Sequence, residues 1–106
     1  MPKYFKPKAA LYTVVPSVED NVHETIREHY ASEFAEARGF SVAGCYADNP
    51  NSGSELSKLA IDARENRFQT VIVYEADAPF PDSATAWAKL FALWKEGVEI
   101  IFSNHN

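Results

Sequence analysis

Residues 11–20 read LYTVVPSVED and join two elements of different kinds. They complete a short apolar segment, residues 9–15, whose composition is typical of a β-strand buried on both faces. Pro16 interrupts this strand, and Ser17 follows in the position of a helix N-cap, with Asp20 three residues later as in a capping box. The stretch therefore predicts a strand that leads directly into a helix, the repeating unit of α/β folds.

The same alternation of strand and helix continues along the chain. The first helix is predicted to end at Gly39, and the last at Gly97. Further helices are predicted over 55–65 and 83–96, and further strands over 40–46, 68–74 and 98–102. Because the connections are long enough for crossovers, the pattern predicts an α/β three-layer sandwich. Its mainly parallel four-stranded sheet is of the flavodoxin-like type, with the first strand central and helices on both faces.

Length and composition favour a single compact domain. The chain has 106 residues, of which 46% are hydrophobic, and this is enough for one core. We expect a basic N-terminal arm (1–8), one α/β domain (9–102) and a polar tail (103–106). The sequence shows neither a signal peptide nor an apolar run of membrane-spanning length, so we expect a cytoplasmic protein with no membrane association.

The charge balance argues against a protein that binds nucleic acid over a broad surface. The formal net charge is −5, so the field of the whole molecule repels phosphate. The one basic cluster consists of Lys3, Lys6 and Lys8, in an arm that prolines interrupt. Direct DNA binding is therefore expected to be weak or absent.

The loops after the first three strands would meet at one edge of a doubly wound sheet. They bring acidic and amide residues there: Glu19, Asp20, Asp48, Asn49, Asn51, Glu75, Asp77 and Asp82. Since these loops contain no lysine or arginine, a phosphate-binding pocket of ordinary design is not expected. Carboxylates can hold Mg²⁺, but solvated surface carboxylates are far commoner, and the histidines are not spaced as ligands. No metal and no cofactor are predicted.

Three other features have a structural and a chemical interpretation. Ser17 could be a nucleophile, but no base lies near it in sequence, and a helix cap is the commoner role of a serine at this position. Trp87, Phe91 and Trp94 could stack on a ligand, yet their helical spacing favours a place in the core. Cys45, the single cysteine, excludes an internal disulfide and is expected to be a small buried side chain.

Four segments in order make the chain resemble the catalytic domain of serine recombinases, the resolvase and invertase family. They are ALYTVVPS, GCYADNPNSG, DARENRFQTVIVYEADAPFP and LWKEGVEIIF. The resemblance runs from about residue 10 to residue 102. It implies the fold of that domain and, in active members, cleavage of DNA by a serine with arginines around the phosphate.

The residues that would carry this chemistry are replaced. The resemblance places Pro16 where the family has its nucleophilic serine, and Val14 where the first strand carries an active-site arginine. Two further arginines correspond to Ala78 and, approximately, Pro81. The resemblance thus implies a degenerate site without catalytic residues.

Other positions of the family pattern are retained and could form a remnant site. They are Tyr12, Ser17 (one residue after the nucleophile position), Ser52, Gly53 and Asp77. We therefore predict a catalytically inactive recombinase-like domain, of the kind found in mobile elements. It would act by protein–protein interaction or self-association and would regulate recombination or another DNA-processing protein. The alternative is a small metal- or ligand-binding protein, or an enzyme, that uses the acidic edge around Asp20, Asp48 and Asp77.

Overall fold

Strand and helix alternate throughout, as predicted. The computed structural model of the chain describes residues 6–14, 21–48, 53–75, 80 and 83–104. The elements are β1 (Lys8–Val14), α1 (Asn21–Ala37), β2 (Ser41–Asp48), α2 (Ser54–Arg64), β3 (Thr70–Glu75), α3 (Ala84–Lys95) and β4 (Glu99–Asn104). The last strand thus extends two residues beyond its predicted end at residue 102.

The four strands form one sheet in the order β2-β1-β3-β4, and each neighbouring pair is parallel. The first strand lies inside the sheet, between β2 and β3, as the sequence predicts. Its carboxyl end is in register with that of β2, because Tyr12 pairs with Tyr46 and Val14 with Asp48. This register fixes which side chains meet at the edge of the sheet where the strands end.

Side chains of β1 alternate between two apolar layers. Ala10, Tyr12 and Val14 belong to the larger core, which α2 and α3 cover, and none is more than 3% exposed. Ala9 and Leu11 face the other way, into a smaller core with α1. Helices therefore cover both faces of the sheet, as predicted, and the central strand is buried on both sides.

Local sequence accounts for the ends and faces of the helices. The predicted apolar face of α2 is buried as a unit: Leu56, Leu59, Ala60 and Ala63. Ser83 caps α3, since its Oγ accepts a hydrogen bond from the backbone N–H of Ala86 at 3.4 Å. Gly39 and Gly97, just beyond α1 and α3, have φ of +89° and +99°, where a side chain would be strained.

The aromatic residues of α3 are not core residues, so their predicted burial is wrong. Trp87, Phe91 and Trp94 are 44%, 57% and 60% exposed, whereas Leu90 and Leu93 are 3% and 0% exposed. The helix lies over β4, the last strand of the sheet. It therefore buries a narrow stripe against the sheet. Trp87 still contacts the buried ring of Phe80 at 4.8 Å, while Phe91 and Trp94 are more exposed.

Cys45 is also exposed, contrary to the prediction that it is buried. It lies in β2, the other outer strand of the sheet. There it lines a cleft beside α1 together with Leu11, Thr13 and Glu28. An outer strand has neighbours on one side alone, so an apolar segment in it is not covered completely.

Candidate functional site

A buried carboxylate at the end of β2 organises the edge of the sheet where the strands end. Asp48 is 3% exposed. Its Oδ2 accepts a hydrogen bond from the Tyr12 hydroxyl at 2.8 Å and from the backbone N–H of Leu56 at 3.0 Å. Its Oδ1 accepts from the backbone N–H of Glu55 at 2.9 Å. One side chain therefore ties β1 to the first turn of α2.

The physical reason for this arrangement is the amino end of α2. The first N–H groups of a helix have no partner within the helix, and a carboxylate there also meets the positive end of the helix dipole. The N-cap residue itself is Gly53, which has no side chain to accept these bonds. Asp48 supplies the missing acceptor from the preceding strand, and the helix in turn stabilises a carboxylate that water does not reach.

Tyr12, a predicted remnant-site residue, donates a hydrogen bond from its hydroxyl to this buried carboxylate. Burial raises the pKa of its phenol well above the usual value of about 10, and the hydrogen bond to Asp48 raises the pKa further. The phenol therefore stays protonated at neutral pH and donates to Asp48. This arrangement suits a positioning role rather than proton transfer.

A cation from α3 also reaches this edge, although the three loops contain no lysine or arginine. The Nζ of Lys89 donates to Ser57 Oγ at 2.8 Å and lies 3.5 Å from the carbonyl oxygen of Gly53. A Cβ on Gly53 would stand 3.3 Å from the same Nζ. The glycine thus permits a close approach of the ammonium group to the start of α2. Sequence reasoning missed Lys89 because it is 36 residues away from Gly53 along the chain.

A second carboxylate, that of Glu75, accepts a backbone hydrogen bond at the end of β3. The Oε2 of Glu75 accepts a hydrogen bond from the backbone N–H of Phe80 at 2.7 Å. Phe80 is 6% exposed, and its ring meets that of Tyr12 edge-on at 5.9 Å. The chain therefore returns to the core directly beside Tyr12, and Glu75 serves as an anchor for that return.

Of the four positions where the family resemblance predicts a replaced catalytic residue, Val14 is the one within the described residues. It is 3% exposed and belongs to the core that α2 and α3 cover. The other predicted site residues lie outside the described residues: Pro16, Ser17, Ser52, Asp77, Ala78 and Pro81. Asp20 of the acidic edge also lies outside them. Their roles therefore stay predictions.

Within the described ranges, no three side chains of His, Cys, Asp or Glu are grouped so that they could hold a metal ion. Asp48, one of the carboxylates of the acidic edge, already accepts three hydrogen bonds, which a metal would have to displace. None of the helices in the described part of the chain has the length and apolarity required to cross a bilayer.

The fold is an α/β three-layer sandwich. Its parallel sheet has the order β2-β1-β3-β4, with α1 on one face and α2 and α3 on the other. The same fold is found in the catalytic domain of a serine recombinase. The chain is similar to the C-terminal catalytic domain of ISC1926 TnpA, an IS607-like serine recombinase, with a TM-score of 0.68. The match covers 93% of this chain and 72% of that chain at 20% sequence identity, so it establishes the fold alone. No family model and no curated protein matches the sequence.

Proposed function

We propose that this protein is a catalytically inactive serine-recombinase-like domain that acts by contacts with other proteins. The observation that carries the proposal is Val14, which lies in the apolar core of a recombinase-type fold. The family resemblance assigns an active-site arginine to that position. A valine has no charge with which to bind a phosphate. Val14 is 3% exposed and packs in the hydrophobic core instead.

The chemistry of strand cleavage supports this proposal. Attack on a phosphodiester requires an activated hydroxyl and cations that stabilise the charge of the transition state. Pro16 has no hydroxyl at the nucleophile position. Loss of a nucleophile costs on the order of 10⁶ in rate, and loss of one preorganised charge partner costs about 10²–10³. The two losses together leave no measurable cleavage.

The charge of the molecule supports a protein partner rather than DNA. The net charge of −5 opposes broad contact with phosphates, while several large apolar side chains are exposed on the helices. The partner is a second copy, an active recombinase or another DNA-processing protein. Any contact with DNA through Lys3, Lys6 and Lys8 would weaken steeply with salt and would vanish when residues 1–8 are deleted.

The test is an incubation of the full chain with supercoiled DNA, followed by gels for nicked products and for a covalent protein–DNA adduct. An active serine recombinase on its own substrate plasmid serves as the positive control. We expect neither nicks nor adduct. An adduct that forms with the wild type and disappears in Ser17→Ala would overturn the proposal, because it would identify Ser17 as a working nucleophile.

A further inference from the structure

Four exposed aromatic side chains form two stacked pairs at one side of the molecule. They are Trp87, Phe91 and Trp94 of α3 and Phe102 of β4, and we call them the aromatic edge. Their exposed fractions lie between 39% and 60%. Trp87 stacks on Phe102 at 5.7 Å, and Phe91 stacks on Trp94 at the same centroid distance. Ring contacts thus join the helix to the strand.

The direction of this surface follows from the other faces of α3. Leu90 and Leu93 point into the core. Thr85, Ala88, Lys89 and Ala92 line the groove between α3 and α2. Because successive helix residues are separated by 100°, the aromatic side chains project on the side opposite to α2. They therefore extend beyond the sheet, over the space next to β4.

That space borders an open strand edge. Among the described residues, β4 pairs with β3 alone, so the outer row of N–H and C=O groups of β4 is free to pair. Natural proteins protect such edges with lysine, proline or bulges. The strand, EIIFSN, contains none of these residues, and its one charge, Glu99, accepts a hydrogen bond from Thr70 of β3 at 3.2 Å.

We propose that the aromatic edge is the interface between two copies of this chain. In this dimer, β4 pairs with β4 of the second copy in antiparallel orientation about a two-fold axis, and the aromatic surfaces cover each other. This inference rests on the proposed function in that it names the partner and the surface of the protein contact.

The area of the aromatic edge fits a dimer. A fully buried aromatic side chain covers about 150–250 Å², so four that are 39–60% exposed offer about 300–500 Å². A stable interface buries about 800 Å² per partner, of which rather more than half is apolar. The four rings therefore supply most of the apolar area that one partner of such an interface needs.

A second copy also satisfies the strand edge without any further element. A two-fold axis beside an edge strand pairs that strand with itself, and the pairing is necessarily antiparallel, so both edges are covered at once.

The test compares the mass of the full chain in solution, by sedimentation over about 1–200 μM, with that of single variants. Trp94→Glu introduces a carboxylate into the aromatic edge. Ile61→Glu makes the same change at an exposed apolar residue of α2, where Ile61 is 53% exposed. Both sites are exposed, so we expect both variants to fold, and circular dichroism checks this.

We expect the wild type and Ile61→Glu to dimerise. The dissociation constant of the Trp94→Glu dimer should be at least about 100-fold higher, as for the loss of an interface hot spot. Hydrogen exchange at the amides of Glu99–Asn104 should slow with concentration in the wild type and not in Trp94→Glu. A monomeric wild type at 200 μM, equal effects of the two variants, or a dimer without protection of β4 would each overturn the inference. The DNA assay above is independent of these results, so a monomer that cleaves no DNA contradicts the dimer and leaves the proposed function standing.

Discussion

Removal of the Asp48 carboxylate tests the central contact of the candidate site. In Asp48→Ala, the Tyr12 hydroxyl loses its acceptor inside the core, which costs about 1–3 kcal/mol. The backbone N–H groups of Glu55 and Leu56 lose a charged acceptor, which costs about 1.5–3 kcal/mol each. Water that binds these N–H groups at the helix end offsets part of this cost. We expect the free energy of unfolding to fall by about 3–5 kcal/mol, a large part of the roughly 5–15 kcal/mol of an ordinary domain.

The isosteric change separates hydrogen bonding from packing. In Asp48→Asn, either orientation of the amide turns its NH₂ group toward a backbone N–H, that of Glu55 or that of Leu56. One helix N–H is then left without an acceptor, so we expect a loss of about 2 kcal/mol although the volume is unchanged. Tyr12→Phe removes a single hydroxyl and should cost about 1–2 kcal/mol.

Urea denaturation gives these free energies from the midpoint and slope of the transition. Glu33→Ala is the matched control, since its side chain is 61% exposed in a surface pair with His29 and should change stability by a few tenths of a kcal/mol. The double variant Tyr12→Phe/Asp48→Ala should lose less than the two single losses added together. Additive losses, or an Asp48→Ala loss as small as that of the control, would refute the reasoning.

Three further outcomes are expected. The raised pKa of Tyr12 keeps the phenol protonated in the folded state, whereas the unfolded phenol ionises near pH 10. The free energy of unfolding should therefore fall above about pH 10, and it should fall less steeply in Tyr12→Phe. Urea titrations at several pH values measure this. Gly97→Ala, at φ of +99°, should lose about 1 kcal/mol, and unchanged stability would contradict the strain argument. Leu59→Ala, at a residue that is 0% exposed, should lose about 2–5 kcal/mol by calorimetry, whereas Ile61→Ala should lose far less.

The order of strands and helices was predictable because each element carries its own local signal. The buried face of α2 repeats with the period of a helix, and Ser83 and Gly97 mark the ends of α3 by their capping chemistry. The central position of β1 followed from its apolar residues, since a strand buried on both faces has no polar side to alternate with. These properties depend on residues close together in sequence.

The contacts of the candidate site were not predictable in the same way. Asp48 was identified as an acidic loop residue, but its role depends on Tyr12, 36 residues earlier, and on helix N–H groups that follow it. Lys89 was not identified because it reaches Gly53 across the space between two helices. Periodicity identifies the apolar side of a helix but does not report whether another layer covers it, and for this reason Trp94 was assigned to the core.

The sequence by itself determined the α/β class and the mainly parallel sheet with its first strand central, and the family resemblance predicts the loss of the nucleophile and arginine positions. Those features depend on local composition, on the period of apolar residues and on the identity of single residues. Only the tertiary structure decided that Asp48 joins Tyr12 to α2, that Lys89 approaches Gly53 and that the aromatic residues of α3 face outward at the edge of the sheet. Burial, hydrogen-bond partners and exposed surfaces depend on which segments meet in space, and no local pattern encodes that meeting.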